Sequence, residues 1–145
     1  MITNEYGIHT FSLKLQCKYS EIQNIIEQNE CIRTSKGKLG LSPYYQMPQF
    51  KDIGVEIQLG QSVSHPCWLI LIVNPSSLLA GTYEPTALFQ ADEESVQQVK
   101  YRLRNILDKI GVDRRLKEFK LSRCDLTCNL SAYSFHCYAR LCFIC

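Results

Sequence analysis

The sequence lacks several features that would place it in a specialised class of protein. Its longest apolar run, CWLILIV at residues 67–73, is far shorter than the roughly 20 residues of a membrane-spanning helix. The first residues lack the basic start and the continuous apolar core of a signal peptide. The net charge of +2 is too small to indicate a polyanionic partner by itself. These absences predict a cytoplasmic protein that does not enter a membrane.

The signatures of common enzyme classes are also missing. The sequence contains no phosphate-binding glycine loop, dinucleotide fingerprint, nucleophile elbow or paired-histidine metal motif. Eight cysteines are present, and without a secretory signal we expect reduced thiols that act mostly as small core residues. Cys142 and Cys145 form a C-x-x-C pair with the spacing of zinc ligands, and a zinc site would consist mainly of His136, Cys137, Cys142 and Cys145. A small zinc-binding domain therefore stays open as an alternative.

What the chain does contain is a regular succession of strand and helix patterns. Apolar residues alternate with polar ones, or run continuously, in four predicted strands at residues 11–17, 53–59, 67–73 and 121–130. Helical periodicity predicts helices at residues 21–28 and 93–110, capped by Ser20 and Asp92, with Gly111 ending the second. Residues 29–51, with room for a short hairpin, and residues 74–91 are predicted as irregular stretches.

This order, β-α-β-β-α-β, predicts an α+β fold of the ferredoxin-like type, with an antiparallel sheet and two helices on one face. Residues 1–130 would form one α+β domain. Residues 131–145 form an apolar extension, which either packs on the sheet or is a truncated continuation. The sheet face without helices requires a cover. We expect a homodimer partner, a ligand or a C-terminal domain absent from this chain.

The last predicted strand has one apolar face and one polar face. Cys124, Leu126, Cys128 and Leu130 share the first, and Arg123, Asp125, Thr127 and Asn129 share the second. Arg123 and Asp125 emerge side by side, so the carboxylate is placed to hold a divalent cation while the guanidinium holds a phosphate. A simple ion pair on an exposed strand is the alternative.

Two further stretches have the composition of a nucleic-acid contact. The segment before the last strand contains Arg114, Arg115, Lys117 and Lys120, and the first irregular stretch contains Lys36 and Lys38 close to Tyr44 and Tyr45. Basic side chains contact phosphates, and aromatic rings stack on bases. The alternative for the basic segment is a solvated connector. For the irregular stretch it is an exposed loop whose tyrosines pack on the domain.

The segments DIGVEIQLGQ and RCDLTCN, and the apolar strand followed by Asn74 and Pro75, resemble the N-terminal part of the replication initiation factor family of plasmids and phages, the rolling-circle initiators. The resemblance implies a β-rich core that nicks DNA with a tyrosine and a carboxylate-bound Mg²⁺ or Mn²⁺. It makes Arg123 and Asp125 catalytic residues and Asp125 the metal ligand. Asn129 stands where the family has a second acid, which implies a DNA-binding domain incomplete for nicking. The alternative is a noncatalytic ferredoxin-like interaction or dimerisation module.

Overall fold

A computed structural model describes residues 4–34, 44–130 and 138–143, and it describes the side chains of residues 6–34 and 44–127. The strands are β1 (Asn4–Cys17), β2 (Ile32–Thr34), β3 (Tyr44–Met47), β4 (Val55–Gly60), β5 (Cys67–Val73), β6 (Lys120–Leu130) and β7 (Tyr138–Phe143). The helices are α1 (Tyr19–Gln28), α2 (Pro75–Ala80) and α3 (Glu93–Lys109). Short 3-10 helices at Pro48–Ile53 and Leu116–Glu118 precede β4 and β6.

The seven strands form one antiparallel sheet in the order β2-β3-β4-β5-β1-β6-β7. The α+β class and the antiparallel sheet are therefore confirmed. The four strands predicted from the sequence are the central ones, β4, β5, β1 and β6, and β5 and β1 lie at the middle of the sheet. In the described part of the chain, no helix is long and apolar enough to cross a membrane.

The hydrophobic core lies between one face of the sheet and the helices. Alternate residues of β5 are fully buried, as the exposed fraction of 0% for Leu69, Leu71 and Val73 shows. The buried side chains of α1, α2 and α3, with Ile22 and Leu107 at 0%, belong to the same cluster. All three helices thus cover one face, and the strand residues of opposite parity form the other, which we call the open face.

The two helix starts predicted from the sequence differ in whether the predicted capping residue is used. Asp92 caps α3 as predicted, because its Oδ1 accepts a hydrogen bond of 2.9 Å from the Ser95 backbone N–H. Ser20 does not cap α1. That helix begins at Tyr19, and the Lys18 backbone N–H instead donates to Glu21 Oε2 at 2.6 Å.

The predicted irregular stretches contain regular elements. Residues 29–51 include β2 and β3, which pair with each other and extend the sheet beyond β4. Residues 74–91 include α2, where the Asn74 side chain accepts a hydrogen bond of 3.0 Å from the Ser77 N–H. The apolar extension includes β7, which pairs with β6; the rest of residues 131–145 lies outside the described residues.

Candidate nucleic-acid interface

The open face is organised in rows of residues that lie opposite one another on neighbouring strands. One row contains Tyr44 of β3, Gly60 of β4, Trp68 of β5 and Gln16 of β1. The next contains Gln58, Ile70, Lys14 and Lys120. The third contains Glu56, Ile72, Ser12 and Arg123. Aromatic rings are therefore concentrated at one end of the face, beside two lysines.

A glycine separates the two aromatic residues of the first row, and we call the position above it the slot. Tyr44 and Trp68 lie on either side of Gly60, which has no side chain, so their backbones are about 9.6 Å apart, twice the spacing of neighbouring strands. A Cβ built at Gly60 would meet its nearest atoms, all from Trp68, at 3.9–4.0 Å. A planar group between two rings needs about 7 Å, twice a close carbon contact of about 3.5 Å. The backbone spacing between Tyr44 and Trp68 thus exceeds the separation that a base between two rings needs.

Two lysines lie on the Trp68 side of this slot, on the next two strands of the sheet, β1 and β6. The Lys14 Nζ is 3.8 Å from the centre of the Trp68 ring, a cation–π contact. Lys14 also lies directly opposite Lys120 on β6, and like charges at such positions repel each other. Neither lysine has a carboxylate within salt-bridge distance among the side chains that the structure describes. An anion bound between them would relieve this repulsion.

The Tyr44 ring is held on the open face by polar neighbours. Burial raises the pKa of the Tyr44 hydroxyl, a hydrogen bond with the Gln46 side chain opposes that shift, and the nearby Glu56 carboxylate adds to it. Glu56 in turn accepts a hydrogen bond of 2.7 Å from Gln58 Nε2. The raised pKa keeps the proton on the Tyr44 hydroxyl at neutral pH.

The predicted catalytic pair, Arg123 and Asp125, also lies on the open face. Arg123 Nε donates to Asp125 Oδ1 at 2.9 Å, and Thr10 Oγ1 donates to Asp125 Oδ2 at 2.6 Å. The exposed fraction is 2% for the Asp125 side chain and 49% for the Arg123 side chain. The sequence thus correctly placed these two residues together, and the structure adds Thr10 as a third partner.

A divalent metal of the kind that the resemblance implies needs several oxygen ligands. Among the residues with described side chains, no group of three or more histidines, cysteines, aspartates or glutamates is close enough to bind a metal ion. Both oxygens of Asp125 accept hydrogen bonds. The described residues therefore do not assemble a metal site around Asp125, and its role as a metal ligand stays a prediction.

The predicted basic segment does not form one surface. Arg114 donates to Glu21 Oε1 and to Glu118 Oε1, both at 2.9 Å, so two carboxylates compensate its charge. These bonds lower the pKa of Glu21, with the Arg114 hydrogen bond as the largest cause. They raise the pKa of Arg114 further above its already high value. Arg114 therefore has a structural role.

The remaining predicted basic residues are divided between the two faces. Lys117 lines a cavity on the helix side of the sheet, whereas Lys120 lies on the open face with Lys14. The Arg115 backbone N–H donates to Glu118 Oε2 at 2.7 Å, and its side chain is exposed. Lys36 and Lys38 lie outside the described residues, as do the side chains of the predicted zinc ligands His136, Cys137, Cys142 and Cys145.

The sequence interpretation did not identify Lys14, Gly60 and Trp68 as parts of a site. Alternation placed Lys14 on the polar face of its strand, but Trp68 lay in a strand that is apolar on both faces. Only the pairing of β3 with β4 and of β4 with β5 brings Tyr44, Gly60 and Trp68 into one row. Comparison of the chain with protein-family models, curated proteins and solved structures gives no match.

Proposed function

We propose that this protein binds single-stranded DNA on the open face. One base would enter the slot between Tyr44 and Trp68, and Lys14 and Lys120 would contact the flanking phosphates. The observation that carries the proposal is the row Tyr44, Gly60 and Trp68, in which two aromatic residues lie on either side of a residue without a side chain. Proteins that bind single strands combine aromatic stacking platforms with basic side chains in this way.

The energies favour a base over the lysine that now covers the Trp68 ring. A stacked base contributes about 1–3 kcal/mol, whereas a partly exposed cation–π contact contributes about 0.5–1 kcal/mol. Lys14 would therefore exchange its contact with the ring for a contact with a phosphate. Glu56 lies two rows away from Trp68, about 13 Å along the strand. Its carboxylate is near the Tyr44 side of the slot, so the phosphates would lie on the other side, with the two lysines.

We also infer that β4, β5, β1 and β6 form a ferredoxin-like core to which β2, β3 and β7 were added at the edges. The order of these four strands, with α1 after β1 and α3 after β5, agrees with that topology. Four-stranded sheets with helices behind them are known to stack bases on aromatic side chains of the free face. The resemblance to rolling-circle initiators supports DNA as the nucleic acid.

Strand nicking by Arg123 and Asp125 is a separate prediction. The ion pair occupies the same face as the slot, but the hydrogen bonds from Thr10 and Arg123 already use both oxygens of Asp125. Our proposal is therefore binding without cleavage. Incubation of labelled single-stranded DNA with the protein and Mg²⁺ or Mn²⁺ tests whether the protein cleaves DNA. Metal-dependent cleavage by the wild type that is lost in Asp125→Asn would contradict our proposal and support the nicking function.

Binding itself is tested by fluorescence anisotropy with a labelled oligo(dT) of about 12 nucleotides, within the range of single-stranded sites. Trp68→Ala and Tyr44→Ala should each weaken binding by about 5-fold to 150-fold, the equivalent of one stacked base. Gly60→Val should weaken binding at least as much, because its side chain fills the slot. Its Cβ makes only ordinary contacts, so we expect this variant to fold.

One control variant separates the slot from general effects. Lys109→Gln removes a charge from the exposed surface of α3, away from the open face. It should bind oligo(dT) within about twofold of the wild type, as surface changes outside a site usually do. Wild-type affinity in Gly60→Val, Trp68→Ala and Tyr44→Ala would contradict the proposal, as would a complete absence of binding by the wild type.

A further inference from the structure

An apolar cavity of about 690 Å³ lies between the sheet and α3, on the side opposite the open face. Its walls include Phe11 of β1, Leu121 of β6 and Leu103 of α3. Leu121 is 44% exposed, so the cavity opens to solvent beside β6. Protein interiors contain few voids larger than a water molecule, and binding sites for small molecules have volumes of about 300–1,000 Å³. The cavity therefore has the size of a ligand site.

The charges around this cavity have one sign. Lys100 of α3 and Lys117, in the turn before β6, line it, and no acidic side chain does so among the described residues. Both lysines are exposed, and neither makes a salt bridge within the described part of the chain. An apolar chamber with two uncompensated ammonium groups matches a molecule that has a hydrocarbon chain and one anionic end.

We propose that the cavity binds a medium-chain carboxylate, of about ten carbons, as a single molecule. The hydrocarbon chain would lie among Phe11, Leu103 and Leu121, where it is removed from water. The carboxylate would lie at the surface between Lys100 and Lys117, where charge-assisted hydrogen bonds form without burial of a charge. This inference does not rest on DNA binding, because the slot and the cavity lie on opposite faces of the sheet.

The proposal is tested with a dansyl-labelled undecanoate, whose fluorescence rises in an apolar site. Unlabelled decanoate, used as monomers below its micelle-forming concentration, should displace the probe, and decanol should displace it less well. Lys100→Gln combined with Lys117→Gln should weaken decanoate binding about tenfold, as expected for the loss of two partly exposed ion pairs. The same double variant should leave the affinity for decanol unchanged.

A variant that fills the cavity tests where the chain binds. Ala91 lines the cavity and is exposed, so Ala91→Phe should block the binding of decanoate and decanol while the protein remains folded. Lys109 lies on α3 and does not line the cavity. Lys109→Gln therefore serves as a control for the loss of a lysine charge, and it should bind decanoate like the wild type. If Ala91→Phe fails to fold, the double lysine variant alone tests whether decanoate binds in the cavity, because it changes only exposed side chains.

Three results would overturn the inference. In the first, decanoate does not displace the probe. In the second, decanoate and decanol bind with equal affinity and the lysine changes have no effect. In the third, a folded Ala91→Phe protein binds decanoate as tightly as the wild type. The double lysine variant should also bind oligo(dT) like the wild type. Its failure to bind decanoate is thus distinguishable from any failure of the DNA-binding proposal.

Discussion

Gly60 shows how much of a site can depend on the absence of a side chain. The residue is the last of β4, and glycine has no side chain to pack there. In this position it leaves space between Tyr44 and Trp68. Valine would remove that space. In the proposed slot, the missing side chain is what leaves room for the base.

Gly54 and Gly81 form a matched pair for testing backbone strain. Both have a positive φ, at 80° and 72°, which costs a residue with a Cβ about 1 kcal/mol. A Cβ at Gly54 would also lie 2.5 Å from the Ser77 Cβ, whereas one at Gly81 would meet nothing within 4 Å. Gly54→Ala should therefore lower the free energy of unfolding by about 3 kcal/mol, and Gly81→Ala by about 1 kcal/mol. Urea unfolding measures both, and equal losses would contradict the packing at Gly54.

Thr10 is predicted to stabilise the buried Asp125 carboxylate. Thr10→Val keeps the shape of the side chain but removes the 2.6 Å hydrogen bond to Asp125 Oδ2, which should cost about 1.5–3 kcal/mol for a bond to a charged group. Thr10→Ser retains a hydroxyl and should lose less. Thermal unfolding of the two variants checks this order, and a Thr10→Val protein more stable than Thr10→Ser would show that the bond contributes little.

At the scale of elements, the strongest sequence patterns predicted the structure best. β5 matches its prediction residue for residue, and α3 begins at Glu93 as expected and ends one residue early. α2 was missed because six residues are too few for a helical period, although Asn74 followed by Pro75 is a helix-start signal. The first half of β1 was missed because the register shift between Ile8 and Thr10 interrupts its alternation.

Arg114 connects two elements that are distant in sequence, α1 and the turn before β6. Its bonds to Glu21 and Glu118 lower the pKa of both carboxyl groups; the Arg114 hydrogen bond is the largest cause for Glu21, and the Arg115 backbone N–H is the largest for Glu118. Because these pKa values are lower in the folded state than in the unfolded state, the two ion pairs stabilise the fold fully at neutral pH. That stabilisation is lost as the pH falls below about 4.5, through the folded-state pKa values of the two carboxyl groups.

The stability of the wild type should therefore decrease on acidification more steeply than that of Arg114→Gln. The two proteins should differ most near neutral pH and converge as the pH falls through the lowered folded-state pKa values of the two carboxyl groups. The urea midpoint measured across this range is the test. Arg102→Gln, an exposed change on α3 without a salt bridge among the described residues, should follow the wild type. A constant difference between Arg114→Gln and the wild type at every pH would contradict this account.

At the scale of the whole molecule, the two faces of the sheet carry different chemistry. Trp68, Tyr44, Lys14 and Lys120 are on the open face, and the apolar cavity with Lys100 and Lys117 is on the helix side. The sequence predicted the α+β class and the pairing of Arg123 with Asp125. It could not predict the slot or the cavity, because both depend on which strands become neighbours and in which register.

The salt dependence of binding measures how many phosphates the open face contacts. For a single strand, each neutralised phosphate contributes about −0.7 to the slope of log K against log salt concentration. Lys14→Gln combined with Lys120→Gln should therefore make the slope shallower by about 1.4. Lys100→Gln combined with Lys117→Gln is the control with the same loss of charge on the other face, and an equal change of slope in that variant would contradict the assignment of the lysines.

A second copy of the chain or a further domain on the open face remains a prediction. Light scattering after gel filtration, with and without oligo(dT), distinguishes these arrangements. A dimer that dissociates when DNA binds would place the dimer contact over the slot. A monomer in both conditions would leave the open face to DNA alone.

The emission of Trp68 tests the central claim most directly, because it is the only tryptophan in the chain. Stacking of a base on its ring should quench the emission as oligo(dT) is added. The quenching should saturate at the concentration at which anisotropy shows binding, and it should be absent in Gly60→Val. Binding detected by anisotropy with unchanged Trp68 emission, or no binding of oligo(dT), would contradict the proposed slot.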